Sequence, residues 1–157
     1  MNQSLKIDKI IIIDFGSQVT KLIARRIREY SVFSEILTPQ DLKKKNIFRN
    51  VKGIILSGGP STVVKTKHPG IPKEIFNLDI PILGICYGLQ LIAKHFQGKV
   101  KLNNKKREFG RATLFKSKNS LLTKDFFLKN KCNVWMSHQD SVYKLPNGFN
   151  TIASTKH

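Results

Sequence analysis

Short apolar runs, separated by polar turns rich in glycine and lysine, recur along the first hundred residues. Residues 9–15 form the first run and predict a strand buried on both faces. Residues 32–37, 51–56 and 80–85 repeat the pattern. Between the first two runs, Val19, Leu22, Ile23, Ile27 and Tyr30 recur at helical spacing, with Lys21, Arg25, Arg26 and Arg28 on the solvated side. Ser17 is the N-cap candidate for that helix. A lysine-rich helical connection is expected over 40–46, and a loop with one short helix over 61–79. After the fourth run, Leu89, Ile92, Ala93 and Phe96 carry the helical period again, and Gly98 supplies the stop. Beyond it, alternation predicts strands at 99–102 and 111–115, with the charged stretch 107–112 reading locally as a hairpin. A short apolar helix follows at 121–128, then a strand from Val134 running into a loop, a turn at 145–149 and a last strand at 151–154. Strands alternating with helices define an α/β fold class, an open, mostly parallel sheet flanked by helices.

One junction carries candidate chemistry. Gly84-Ile85-Cys86-Tyr87-Gly88 lies where the fourth strand turns into a helix. Gly-x-Cys-x-Gly in that context is the cysteine form of a nucleophile elbow. The corner raises the thiol at the positive end of a helix, which favours thiolate and lowers a cysteine pKa. The plain alternative is a buried structural cysteine. Ser57-Gly58-Gly59-Pro60-Ser61, at the carboxyl end of the third strand, offers backbone N–H groups suited to an oxyanion. Read alone, it is also an ordinary turn. His68 reads as a surface residue in a His-Pro-Gly turn, and His95 as solvent-facing.

Gly-Ile-Cys-Tyr-Gly-Leu-Gln resembles the nucleophile motif of class I glutamine amidotransferases, whose triad is Cys-His-Glu. Ser-Gly-Gly-Pro stands one βα unit earlier, as in that family. Residues 14–29 and 107–112 resemble the amidotransferase domain of GMP synthetases in particular, with Val19 where an aromatic is usual. Trp135-Met136-Ser137-His138-Gln139-Asp140 resembles that family's Trp-Met-Ser-His-Gly-Asp, with Gln139 in the glycine's place and Ser141 in that of a lysine. The resemblance spans nearly the whole chain and implies a flavodoxin-like amidotransferase fold. It implies Cys86 as nucleophile, and N–H groups of Gly58, Gly59 and Tyr87 as the oxyanion hole. Gln90, Ser137, His138 and Asp140 then border the substrate, L-glutamine, with His138 lining the pocket. No cofactor or metal is implied.

Charge changes the picture least. The formal net charge is +18 over 157 residues. Most of the basic residues are lysines spread along the chain, which fits drift at solvent-facing positions, and no RNA-binding motif accompanies them. Weak, salt-sensitive adhesion to nucleic acid is expected. Two cysteines make neither a disulfide framework nor a zinc site. A free thiol fits a reduced, cytoplasmic setting, and no apolar run is long enough for a membrane span.

In the family, a histidine and a glutamate follow in a Phe-His-Pro-Glu-like stretch, and a Ser-Gly-Gly-Val-Asp loop marks the ATP pyrophosphatase domain. Neither stretch occurs here. The expectation is therefore a single amidotransferase-like domain over residues 1–157, truncated at its C-terminal end, and weakly active or inactive. Two alternatives stand beside it. One is a working glutaminase subunit that supplies ammonia to a separate synthetase partner, its base coming from that partner or from His138. The other is a basic RNA-adhering module with a vestigial site.

Overall fold

Ile11, Ile12 and Ile13 are wholly buried because their strand has a neighbour on each side. The computed structural model describes residues 7–44, 46–102, 108–127, 129–138 and 140–156, with the backbone alone at 108, 109 and 138. In it β1 (Lys9–Ile13) pairs in parallel with β2 (Phe33–Leu37) and β3 (Val51–Leu56), and β3 with β4 (Ile82–Gly84). The order β2-β1-β3-β4 is an open, all-parallel four-stranded sheet. The chain divides into two compact units, Met1–Phe96 and Gln97–His157, and this sheet belongs to the first.

β1, β2 and β4 are shorter than the apolar runs that predict them, and β3 has the expected bounds. β1 stops at Ile13, because Asp14 begins a turn: its Oδ1 accepts the N–H groups of Gly16 (2.9 Å) and Ser17 (3.3 Å) and the hydroxyl of Thr20 (2.8 Å). β4 is only three residues long, and Leu83 is exposed. The expected doubly buried strand is not found there, since β4 has one sheet neighbour among the described residues.

Helix α1 (Thr20–Glu29) keeps Ile23 and Ile27 of the expected stripe half-buried but is rotated so that its most buried residues are small. Thr20 and Ala24 are buried, while Val19, Leu22 and Tyr30 are exposed. Polar bonds set this rotation. Thr20 is tied to Asp14, and Ser34 Oγ on β2 donates to the carbonyl of Ala24 at 3.1 Å, which needs a small residue at 24. Val19 occupies the N-cap position without a side-chain cap, so Ser17 is not the cap. The helical connection expected over 40–46 shrinks to a single 3-10 turn at Asp41–Lys43, while 61–79 is the expected loop with one short helix, a 3-10 segment at Lys73–Asn77.

Helix α2 (Tyr87–His95) leaves β4 at once and packs Leu91, Ile92 and Ala93 inward. Its stop is Gln97, at φ +65°, and not Gly98. His95 stacks on Phe76 at 4.0 Å between ring centroids, so it is a packing residue and not a solvent-facing one.

The second unit is antiparallel. β5 (Lys99–Leu102) pairs with β8 (Asp140–Lys144), while β6 (Glu108–Lys116) lies between β7 (Lys131–His138) and β9 (Ala153–Ser154). Residues 108–112 lie within one continuous strand, so no hairpin forms among them, and Arg107 lies outside the described residues. The apolar helix expected at 121–128 is a single 3-10 turn, Leu121–Thr123, with Leu121 and Leu122 exposed. β7 continues through Ser137 and His138 instead of passing into a loop at that point.

Candidate active site

The junction between β4 and α2 is a corner bent beyond ordinary backbone. Cys86 has φ +47° and ψ −106°, and the helix starts at the next residue. A side chain in that conformation costs on the order of 1–3 kcal/mol and persists only where neighbours enforce it. The enforcement is visible. Ile85 N–H donates to the Leu56 carbonyl (2.9 Å), and Gly88 N–H to those of Ser57 (3.1 Å) and Ile85 (2.9 Å). A side chain at position 88 would lie 2.6 Å from Leu56 Cβ, and one at 84 would lie 2.6 Å from the Leu89 nitrogen. Both glycines are demanded by close approach, not by a left-handed φ.

Cys86 therefore stands free of disulfide and open to solvent, as the elbow reading expects. Its pKa departs from that reading. Partial shielding of the sulfur pushes the thiol up from its ordinary value, where the helix N-terminus was expected to bring it down. The physical reason is local. No imidazole or ammonium group is hydrogen-bonded to Sγ among the described residues, so nothing offsets the desolvation.

The twin-glycine turn lies beside the corner. A Cβ at Gly58 would fall 3.5 Å from Cys86 Cβ and 3.7 Å from Ser17 Oγ. A Cβ at Gly59 would strike the backbone of Phe15. The Gly58, Gly59 and Tyr87 N–H groups donate to no acceptor among the described residues. Ser57, which sequence reasoning passed over, fixes this turn. Its buried hydroxyl accepts from Phe15 N–H (3.1 Å) and donates to the Gly58 carbonyl (2.9 Å), while its own N–H donates to Ile13 (3.0 Å). One residue thus bolts the β1 turn, the glycine turn and the start of α2 together. A serine buried at the end of an apolar strand was the signal.

Gln90 is buried, its Oε1 accepting from Val63 N–H at 3.4 Å. Tyr87 buries its ring edge-on against Phe15 (5.1 Å between centroids), and its phenol, pushed up to about 12 by burial, donates to the Pro69 carbonyl. His68 is no surface residue. It is half-buried, with Nδ1 at 2.9 Å from the Tyr87 hydroxyl and Nε2 at 3.0 Å from Lys94 Nζ. The first unit so brings together Cys86, Gly58, Gly59, Tyr87 and Gln90. Ser137, His138 and Asp140 belong to the second unit, at the end of β7 and the start of β8, paired with Phe109, Glu108 and Leu102. Gln139 lies outside the described residues.

A parallel sheet with a strained cysteine corner beside a glycine turn defines the class of α/β proteins built around a nucleophile elbow. The family model for glutamine amidotransferase class-I matches residues 11–157. The chain belongs to the class I glutamine amidotransferase family. Among its relatives, the GMP synthase [glutamine-hydrolyzing] of Campylobacter hominis is 54% identical over 154 residues, covering 95% of this chain and 29% of that protein. That of Paraburkholderia phytofirmans is 49% identical over 156 residues, again covering 95% and 29%. The chain thus spans about three tenths of the length of the curated relatives it matches. Of solved structures, a Thermoplasma acidophilum protein described as one subunit of a GMP synthase superposes with TM-score 0.75 at 26% identity, covering 96% of this chain and 74% of that one. A glutamine amidotransferase of Thermotoga maritima gives TM-score 0.75 at 20% identity, covering 95% and 67%, which speaks for the fold alone. No helix among the described residues is long and apolar enough to cross a membrane.

Proposed function

We propose that this chain carries the glutamine-binding and nucleophilic part of a glutaminase of the GMP synthase type. The observation that carries the reading is the backbone of Cys86, held at φ +47° and ψ −106° directly beside Gly58. Such strain is sustained where a side chain must be presented to a reacting atom.

In this reading the Cys86 thiolate attacks the side-chain amide carbon of L-glutamine. The C–S bond forms and the carbonyl π pair moves onto oxygen. The oxyanion accepts hydrogen bonds from the Gly58-Gly59 turn and from Tyr87 N–H, each donor worth about 3 kcal/mol. Collapse breaks the C–N bond, the nitrogen leaves as ammonia after gaining a proton, and water then releases glutamate from the thioester. Gln90, Ser137, His138 and Asp140 are the proposed contacts for the rest of the substrate. A general acid/base is worth about 10²–10⁴-fold, and no imidazole is hydrogen-bonded to Sγ among the described residues. Turnover by these residues alone is therefore slow. The setting is one that keeps the thiol reduced, such as a cytoplasm.

A second reading differs only in context. The Thermoplasma relative is described as one subunit of its enzyme. This supports a glutaminase polypeptide that hands ammonia to a separate synthetase chain, which would also complete the proton-transfer apparatus.

Two measurements test the proposal. A glutamine analogue with an electrophilic carbon at the amide position should label Cys86, and L-glutamine should protect it. Glutamate release should be slow and vanish in Cys86→Ala. Labelling indifferent to L-glutamine, or turnover that survives Cys86→Ala, would overturn the reading.

A further inference from the structure

Between Pro60 and the 3-10 turn at Lys73–Asn77 the chain has no regular structure, yet Thr62 and Val63 are buried. What holds this segment is polar. Three side chains of α2, Tyr87, Gln90 and Lys94, all bond to it, and their spacing of three and then four residues puts them on one stripe of the helix. Lys94 Nζ donates to the Val63 carbonyl at 2.9 Å and to His68 Nε2 at 3.0 Å. His68 Nδ1 lies 2.9 Å from the Tyr87 hydroxyl and 3.0 Å from the Pro69 carbonyl.

The donors fix the tautomer. An ammonium group only donates, so Nε2 accepts and Nδ1 carries the proton. One imidazole therefore spans the stripe from its first residue, Tyr87, to its last bonded one, Lys94, two turns apart. Tyr87 is the neighbour of Cys86, and Val63 lies four residues beyond Gly59. The clamp therefore grips the segment that leads out of the glycine turn along the length of the nucleophile helix, from its first turn at Tyr87 to its last at Lys94.

We infer that His68, acting with Lys94, is a positioning residue that clamps residues 62–69 onto α2 and so holds the glycine turn in register with the cysteine corner. The inference deepens the glutaminase reading and rests on it for what the clamp serves. The clamp requires a neutral imidazole. Protonation at Nε2 would set an imidazolium against the Lys94 ammonium group, and no carboxylate is bonded to the ring among the described residues. The groups facing His68 are the Tyr87 phenol and Lys94 from α2 and the Pro69 carbonyl from its own segment; the Phe15 ring backs Tyr87.

Amide hydrogen exchange of residues 62–69, corrected for intrinsic rates, tests the clamp in the whole chain. His68→Ala and Lys94→Met should each speed exchange at Val63 and Val64 by about tenfold. His68→Gln offers an acceptor to Lys94 and a donor to Tyr87. It should restore most of the protection. Unchanged protection in His68→Ala overturns the clamp, as does a His68→Gln variant no better than His68→Ala. A second arm judges the purpose. Labelling of Cys86 by the electrophilic glutamine analogue should fall about tenfold in His68→Ala, with iodoacetamide labelling unchanged. Analogue labelling that stays intact while protection is lost overturns the positioning role. If the native chain ignores the analogue while His68→Ala loses protection, the clamp stands and the glutaminase reading falls.

Discussion

Cys86 is asked to do two things that oppose each other. It must hold a conformation that side chains avoid, and it must keep a thiol that partial shielding from water makes harder to ionise. The first demand sets a stability test. Cys86→Gly relieves the positive φ, whereas Cys86→Ala keeps it, so the glycine variant should melt higher by an equivalent of about 1 kcal/mol despite its freer unfolded chain. Equal melting temperatures would mean the corner is unstrained. The second demand sets a pH test. A raised thiol pKa leaves less thiolate at neutral pH than in a free cysteine. Iodoacetamide labelling of Cys86 should therefore climb with pH and continue climbing past about pH 8.5, the ordinary cysteine value. The linked stability has the same sign: the folded state favours the protonated thiol, and that advantage is lost as pH rises through the thiol's range. A labelling rate already level below about pH 7 would contradict the burial argument. The elbow itself was legible in the sequence, since glycines two residues either side of a cysteine at a strand–helix junction leave few other geometries. The thiol's ionisation was not, because a helix N-terminus is readable from sequence and the shielding around one sulfur is not.

At the scale of elements, what the sequence hid was polar. Apolar side chains at 19, 22, 23, 27 and 30 suggested one inner stripe of α1, but Thr20 and Ala24 are its buried residues, with Ile23 and Ile27 half-buried beside them and 19, 22 and 30 exposed. A hydroxyl bonded to Asp14 and a serine bonded to the Ala24 carbonyl decide the helix's rotation, and hydropathy does not weigh such bonds. The consequence is measurable. Leu22→Ala should change stability by about 0.5 kcal/mol or less, while Ala24→Leu should cost about 1–3 kcal/mol by overpacking against β2. Chemical denaturation of both variants checks this, and a larger loss for Leu22→Ala would restore the hydropathy stripe. The strands were easier. β1 is a continuous apolar run after Lys9, and β3 is interrupted only by the exposed Lys52 and by Gly53; such runs in alternation with helices fit a parallel sheet. Only the end of β1 moved, where Asp14 turns the chain; β3 keeps its expected bounds. The second unit was read least well, because alternating short strands leave pairing unspecified, and the exposed Leu121 and Leu122 mimicked a buried helical face.

For the whole molecule, 28 lysines and arginines face only 10 aspartates and glutamates, and pairs such as Lys9–Glu35 and Arg26–Glu29 occupy the few acidic groups there are. The remainder repels itself. Added salt should raise the melting temperature, and RNA adhesion, followed by fluorescence anisotropy, should collapse between about 50 and 200 mM salt without sequence preference. RNA binding that resists this range would instead mark a specific nucleic-acid surface. Ser57 has a further consequence in time. The bonds that set the corner reach from Ile85 and Gly88 back to Leu56 and Ser57, while Ser57 itself is fixed by Ile13 and Phe15. Such long-range parallel pairings close late, since chain entropy must be spent before they form. A nascent chain still lacking that serine's bonds to the first strand would expose an unbent, ordinary cysteine, so the sulfur's pH profile is a clock for the final stage of folding.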